Sequence, residues 1–262
     1  MTTTRITHIG GPTALIEVGG WRLLTDPTFD PPGRRYSFGW DSSSHKLTGP
    51  AVAATDLGAI DAVLLSHDHQ GDNLDAAGRS LLPGRCRPHH RRRRRAAGGQ
   101  HPRPPARATT RLETPGRPTI QVTATPCRHG PPLSRPIGGD VIGFALAWEG
   151  QEQGALWMTG DTVLYDGVRQ VADSLQVDTA LLHLGCVRFP VTGPVRYSMP
   201  LGEAVELCGL VRPRTAIPVH YEGWSHFHQD RPAIEGEFAQ APADISRSIR
   251  WLPIGEATTV AA

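Results

Sequence analysis

Lysine is almost missing from this chain: Lys46 is its only one, and arginine supplies nearly all the positive charge. Cysteine is scarce too. The four cysteines, Cys86, Cys127, Cys186 and Cys208, form no C-x-x-C pair, which excludes a zinc ribbon or a dithiol redox motif. Reduced thiols are the expectation. No apolar run nears the roughly 18 residues of a transmembrane helix, so no membrane span is expected. Residues 1–10 lack a charged segment leading into an apolar one, so a cytoplasmic protein is expected. Acidic residues are absent between Arg85 and Arg111, where ten arginines lie; without those ten the net charge of +2 would be −8. The body of the protein is therefore acidic and one segment basic. That segment also lacks Phe, Tyr and Trp, which argues against base stacking on a single strand. Nucleic acid is accordingly not an expected partner.

The 262 residues suit one large domain or two small ones, and 29 glycines and 24 prolines point to many turns. Arg5 to Ile9, Thr13 to Val18 and Trp21 to Thr25 read as strands, with the glycine pairs 10–11 and 19–20 as hairpin turns. Phe29 to Ala54 reads as a long loop lining a substrate entrance, with His45 exposed. Asp61 to Ser66 reads as the central strand and Leu74 to Leu82 as a helix. Arg85 to Gly116 has neither period. Three readings stay open for it: a solvated basic loop, a disordered insert, or a shifted reading frame in a G+C-rich gene. Its histidines, His89, His90 and His101, are not counted as ligands. Beyond it, Thr119 to Thr125, Val141 to Trp148, Ala155 to Thr159, Thr179 to Leu184, Thr215 to Val219 and Ile249 to Leu252 read as strands. Leu164 to Leu175, Leu201 to Leu210 and Asp230 to Ala239 read as helices.

The stretch Ser66-His67-Asp68-His69-Gln70-Gly71-Asp72-Asn73 carries the chemistry. Residues i and i+2 of an extended segment point to one side, so His67 and His69 can share a metal ion. Asp72 follows about a turn later. Asp26, His67, His69, Asp72, His129, Asp161 and His220 all fall at or just after the C-terminal end of a strand. A sheet edge that gathers strand ends would bring them together. His183, Asn73, His226 and His228 are further candidates, for substrate contact or for support of ligands; a surface or hydrogen-bonded role is the plainer reading of His226 and His228.

This order of residues resembles the metallo-β-lactamase superfamily, and within it the branch of ascorbate-6-phosphate lactonases and N-acyl-phosphatidylethanolamine phospholipase D. Thr25-Asp26-Pro27, Thr159-Gly160-Asp161-Thr162, Met199-Pro200 and Ile217-Pro218-Val219-His220 add to the likeness. The resemblance implies an α/β protein, a four-layer αβ/βα sandwich spanning residues 1–262, with 85–116 as an irregular insert. It implies a first metal held by His67, His69 and His129, a bridging Asp161, and a second metal held by Asp72 and His220, with Asp26 nearby. The family pattern is His-x-His-x-Asp-His. Here the spacing is one residue longer, Asn73 stands where histidine is usual, and Gln70 is the alternative to His69. Zinc, one ion or two, is the implied cofactor, with manganese as the alternative that prefers oxygen. The implied reaction is hydrolysis of an ester, lactone or phosphodiester of a small molecule by metal-bound hydroxide. Asp72 would orient the water or act as base, and His220 would ligate and steady the oxyanion. The rivals are an impaired protein of the same fold and a nucleic-acid-binding protein using the arginine run.

Overall fold

The structure, a computed structural model, describes residues 3–39, 41–82 and 108–260. In chain order the strands and helices are β1 (Thr4–Gly10), β2 (Thr13–Val18), β3 (Trp21–Thr25), β4 (Arg35–Gly39), β5 (Ser42–His45), β6 (Ala62–Leu64), α1 (Ala76–Ser80), β7 (Thr109–Leu112), β8 (Ile120–Pro126), α2 (Arg135–Gly138), β9 (Ile142–Trp148), β10 (Ala155–Met158), α3 (Asp166–Ser174), β11 (Val177–His183), α4 (Leu201–Val211), β12 (Thr215–Val219), α5 (Arg231–Gln240), α6 (Ala243–Ser248) and β13 (Ala257–Val260).

Two sheets face each other. One has the order β13-β1-β2-β3-β6 and the other β12-β11-β10-β9-β8-β7. Alternation sets which face of each strand is buried, and the inner faces close on one another. Ile6, Ile16, Leu23 and Leu64 from the first sheet meet Phe144, Leu146, Leu181 and Ile217 from the second. Strands β10, β11 and β12 are parallel neighbours and are buried along their whole length. Such runs need cover on both faces. Helices α3 to α6 supply it through Val168, Leu207, Phe238 and Ile245. The outer face of the first sheet, Ile9, Leu15 and Leu24, is covered by Phe29, Leu57 and Ala77 of α1. The result is the αβ/βα layering that the resemblance implied.

Pairing directions decide where the strand ends go. Strand β3 runs parallel to β6, and β10 parallel to β11 and β12. Strand β8 is antiparallel to β9, which is antiparallel to β10, so β8 also points with them. The C-terminal ends of β3, β6, β8, β10, β11 and β12 therefore reach one edge of the sandwich.

Three expectations are corrected. Phe29 to Ala54 is not all loop, because Arg35–Gly39 and Ser42–His45 pair as a hairpin with a register shift; its exposed positions hid the alternation. Thr109–Leu112, inside the stretch read as irregular, is a strand on the edge of the second sheet, paired to β8. The remaining basic residues 85–107, with His89, His90 and His101, lie outside the described residues. Ile249 to Leu252 is not the last strand. Only Ile249 makes a bridge, to Ala216, and Ala257–Val260 takes the sheet edge beside β1. Among the described residues no helix is long and apolar enough to cross a membrane.

Candidate metal centre

Each candidate side chain arrives on a short loop that leaves a buried strand. After β3, Asp26 turns with φ of 27°, and after β12, His220 turns with φ of 58°. Positive φ strains a residue that has a Cβ, and such strain collects at functional sites. Asp26 is held by the Ser66 N–H, which donates to its Oδ1 at 2.6 Å, and by Asn73 Nδ2, which donates to Oδ2 at 3.3 Å. This ties the end of β3 to the segment after β6.

From Asp68 to Leu74 the chain bends through successive turns, closed by Leu74 N donating to Gln70 O at 3.1 Å. The extended path assumed for His67 and His69 stops at His67. His69 turns outward, and its Nε2 lies 2.8 Å from the Gly138 carbonyl. Its ring rests on Gly139, where a Cβ would collide with it. The His69 ring stays beside His67, with centroids 4.9 Å apart, but none of its nitrogens joins a cluster of ligand-type atoms. Gln70 comes back instead: its Oε1 lies 3.3 Å from His67 Nε2 and 3.0 Å from His129 Nε2. The signal for this was the turn-forming Gly71, which makes i+3 rather than i+2 the inward position.

Two groups of ligand-type atoms result. His67, His129 and Asp161 form one, and Asp72, Asp161 and His220 the other; within each, the atoms lie within 4.8 Å of one another. Asp161 belongs to both. His220 Nδ1 is 3.4 Å from Asp161 Oδ1, and His220 Nε2 is 3.8 Å from Asp72 Oδ2. His226, expected in a surface or hydrogen-bonded role, is buried, and its Nε2 lies 3.0 Å from Asp72 Oδ2. Its ring stacks on Phe189 at 5.5 Å and meets Phe38 edge-on. His183 is buried behind His220, with its Nε2 3.7 Å from Asp26 Oδ2. His45 is exposed, as expected.

Electrostatics mark the centre as incomplete. Asp26, Asp72 and Asp161 are all buried, and among the described residues none pairs with Lys or Arg. Burial and the neighbouring carboxylates of Asp72 and Asp26 push Asp161 well above the usual carboxylate range. Burial also raises Asp72, but His220 and His226 outweigh it and hold that carboxyl well below its ordinary value. Burial drives the imidazoles down: His67 falls well below 6.5, His220 falls, and His129 reaches about 4. Neutral imidazoles and carboxylates are the forms that ligate metal. Both oxygens of Asp161, Oδ1 of Asp72, Oδ1 of Asn73, both ring nitrogens of His220 and Nδ1 of His226 have no hydrogen-bond partner. Buried polar atoms are nearly always paired, so this many orphans in one place point to an absent group. A divalent cation fits: it would satisfy carboxylate and imidazole lone pairs and offset the acidic charge.

The supporting residues were not singled out in the sequence. Asp75 caps α1 by accepting from Gly78 N and also accepts from Lys46 Nζ at 2.8 Å. Tyr197 O accepts from His129 Nδ1 at 2.6 Å and fixes that ring.

The chain is similar to several known proteins. The sequence pattern of the beta-lactamase superfamily domain matches residues 21–221. A UPF0173 metal-dependent hydrolase of Opitutus terrae is 29% identical over 229 residues, 83% of this chain and 84% of that protein. A namesake from Pyrobaculum neutrophilum is 25% identical over 230 residues, 86% of this chain and 88% of the other. Among solved structures, a possible metal-dependent hydrolase from Veillonella parvula superposes with a TM-score of 0.76 at 16% identity, covering 98% of this chain and 100% of that one. An isothiocyanate hydrolase from Delia radicum gut bacteria gives 0.73 at 18% identity, with the same coverages.

Proposed function

We infer function from one premise: the chain belongs to the beta-lactamase superfamily. On that premise it is a metal-dependent hydrolase, the activity for which the curated relatives are named. We propose that it cleaves an ester, lactone or phosphodiester of a small molecule. The lactone and phosphodiester arms follow from the narrower likeness of its motifs to the lactonase and phospholipase branch. The observation that carries the reading is the shared Asp161: a buried, unpartnered carboxylate between two groups of neutral histidines and acids.

His67 and His129 would hold one cation and Asp72 and His220 a second, with Asp161 common to both. Bound cations lower the pKa of a water towards neutrality and polarise the oxygen under attack. The chain's own residues do the rest. Asp72, held ionised by His220 and by His226 Nε2 3.0 Å away, can accept a hydrogen bond from a water and orient it. His220, neutral and braced edge-on by Phe227 at 4.7 Å, presents nitrogen to Asp72 and Asp161 without carrying charge of its own. Asp26 does not face the reacting edge with a free oxygen, since Ser66 and Asn73 occupy it; it positions those two residues. Phe38, Phe189, Val187 and Tyr197 form an apolar wall beside His226 and His129. That wall keeps the dielectric low, which strengthens every charge interaction within.

Three imidazoles and two carboxylates make a mixed donor set, which both zinc and manganese suit. The test is metal content by elemental mass spectrometry on folded protein, followed by a panel of esters, lactones and phosphodiesters, with an isothiocyanate added because a solved neighbour acts on that class. Turnover that needs the metal and is lost in Asp161→Asn is expected. Folded protein that holds no cation, even with added zinc or manganese, overturns the reading in favour of an impaired member of the fold.

A further inference from the structure

We propose that Gln70, through its amide oxygen Oε1, is the third protein ligand beside His67 and His129, in the place that the family resemblance gives to His69. The proposal rests on the metal-dependent reading and deepens it.

The first ground is position. Gln70 is buried, whereas His69 is exposed and lies against the Gly138 carbonyl. A carbonyl only accepts, so the His69 Nε2 at 2.8 Å carries the ring proton and cannot ligate; its Nδ1 keeps a lone pair but belongs to neither cluster of ligand-type atoms. Turning His69 inward would break this bond and lift the ring off Gly139, against which it is packed. Gln70 needs no movement. Its Oε1 lies 3.0 Å from His129 Nε2 and 3.3 Å from His67 Nε2. Ligand atoms about 2.1 Å from one zinc at tetrahedral angles stand about 3.4 Å apart.

The second ground is the direction of the protons. His129 Nδ1 lies 2.6 Å from the Tyr197 carbonyl, so Nδ1 donates. A neutral imidazole has one ring proton, and that bond uses it. His129 Nε2 is then a lone pair, and it faces the Gln70 oxygen, another lone pair, at 3.0 Å. Two acceptors do not hold each other. His67 Nδ1 is 2.9 Å from Ser66 Oγ, whose hydroxyl can donate or accept, so the His67 proton can sit on Nδ1 and free its Nε2. Three lone pairs then converge, with Asp161 as the fourth donor within reach. A cation resolves the conflict among all four.

The consequence is a first position with two nitrogens and two oxygens, one of them a neutral amide. An amide oxygen is a harder and weaker donor than imidazole, so this position should discriminate less sharply in favour of zinc over manganese than a three-histidine site.

The experiment compares wild type with Gln70→Ala, Gln70→Glu and His69→Gln, each checked for a cooperative melt. Affinity for zinc is read by chelator competition, and site geometry by the visible absorption of cobalt-loaded protein. His69→Gln should keep the wild-type affinity and cobalt spectrum. Gln70→Ala should bind one equivalent at least about tenfold more weakly and change the spectrum. Gln70→Glu should retain or tighten binding, since it keeps an oxygen at the same reach. If wild type and Gln70→Ala bind zinc equally and give the same cobalt spectrum, Gln70 only spaces the imidazoles with its amide N–H groups, and the proposal falls while the hydrolase reading stands. Loss of binding in His69→Gln also overturns it. A wild type that binds no cation defeats both readings at once.

Discussion

Two groups of buried acids flank the segment from Ser66 to Asp75, and they are treated in opposite ways. On one side Asp75 accepts from Lys46 Nζ at 2.8 Å, Asp30 N at 2.6 Å and Gly78 N at 2.8 Å. Asp30 accepts from Tyr36 Oη, Ala77 N and Arg34 Nη1. On the other side Asp72 and Asp161 keep oxygens with no partner. Both groups are removed from water, so both face the same desolvation cost. The first is closed by protein cations and N–H groups and locks the hairpin of β4 and β5 to α1. The second is left open and holds its lone pairs ready. Complete satisfaction marks scaffold here, and concentrated dissatisfaction marks the site.

The sharpest way to break this contrast is to open the closed group. Lys46→Met removes the chain's only lysine and leaves Asp75 buried without its cation. Stripping one partner from a buried pair costs about 3 to 5 kcal/mol. The melting temperature should fall by roughly 6 to 20 °C for a chain of this size. Lys46→Met combined with Asp75→Asn should recover part of that loss. A single variant that melts with the wild type would show that Lys46 is not what closes the group.

Acid probes the open group. His129 titrates near 4 in the fold and near 6.5 when unfolded, so between those values the unfolded chain binds more protons. Its contribution is therefore complete above pH 6.5 and is lost as pH falls towards 4, on the order of 3 kcal/mol in total. His67 and His220 are lowered too and act in the same sense. Asp161, raised by burial and its acidic neighbours, acts in the opposite sense and gains stability on acidification. Comparing metal-free wild type with His129→Gln isolates the histidine. Urea midpoints of the two should converge between pH 7 and pH 4.5, and parallel lines would refute the assignment.

Closing the open group should stabilise it. At a free cation concentration about 100 times Kd, wild type should gain about 2.7 kcal/mol. Asp161→Asn should lose that gain and yet, without metal, melt above wild type by the equivalent of about 1 to 2 kcal/mol. A metal-free Asp161→Asn that melts below wild type would mean that Asp161 is structural.

How far the sequence carried this contrast depends on the kind of signal. Strands whose burial is continuous or alternating were legible: Thr13–Val18, Trp21–Thr25 and Thr215–Val219 fall where their patterns end. So was the placement of Asp26, Asp72, Asp161, His129 and His220, because it follows from strand ends meeting at one edge. Sequence spacing favours His69 over Gln70, because i+2 presumes an extended chain, and Gly71 turns that chain. His226 was ranked low because no period surrounds it; its burial comes from Phe38 and Phe189, far apart in sequence. The pairing of Lys46 with Asp75 spans 29 residues and leaves no local mark. The hairpin at residues 35–45 was missed for a similar reason: Ser42, Ser44 and Phe38 are buried against distant residues, not by an apolar stripe of their own.

The smallest expected effect tests how redundant the closed group is. Tyr36 Oη donates to Asp30 Oδ2 at 2.6 Å, while its ring meets Trp224 edge-on at 4.9 Å. Tyr36→Phe removes the hydroxyl and keeps the ring. Asp30 retains Arg34 and the Ala77 N–H, so the loss should be about 1 kcal/mol. Burial raises the Asp30 carboxyl, but Tyr36, the Ala77 and Ala76 N–H groups and Arg34 together hold it below 3.8. Its contribution is then full above pH 3.8 and lost as pH falls through the lower folded value. The hydroxyl helps only the ionised carboxylate, so the gap between Tyr36→Phe and wild type should be widest at pH 7 and shrink as pH falls below 3.8. A gap that stays constant across that range would assign the effect to packing against Trp224, and the closed group would then owe its stability to Lys46, Arg34 and the backbone alone.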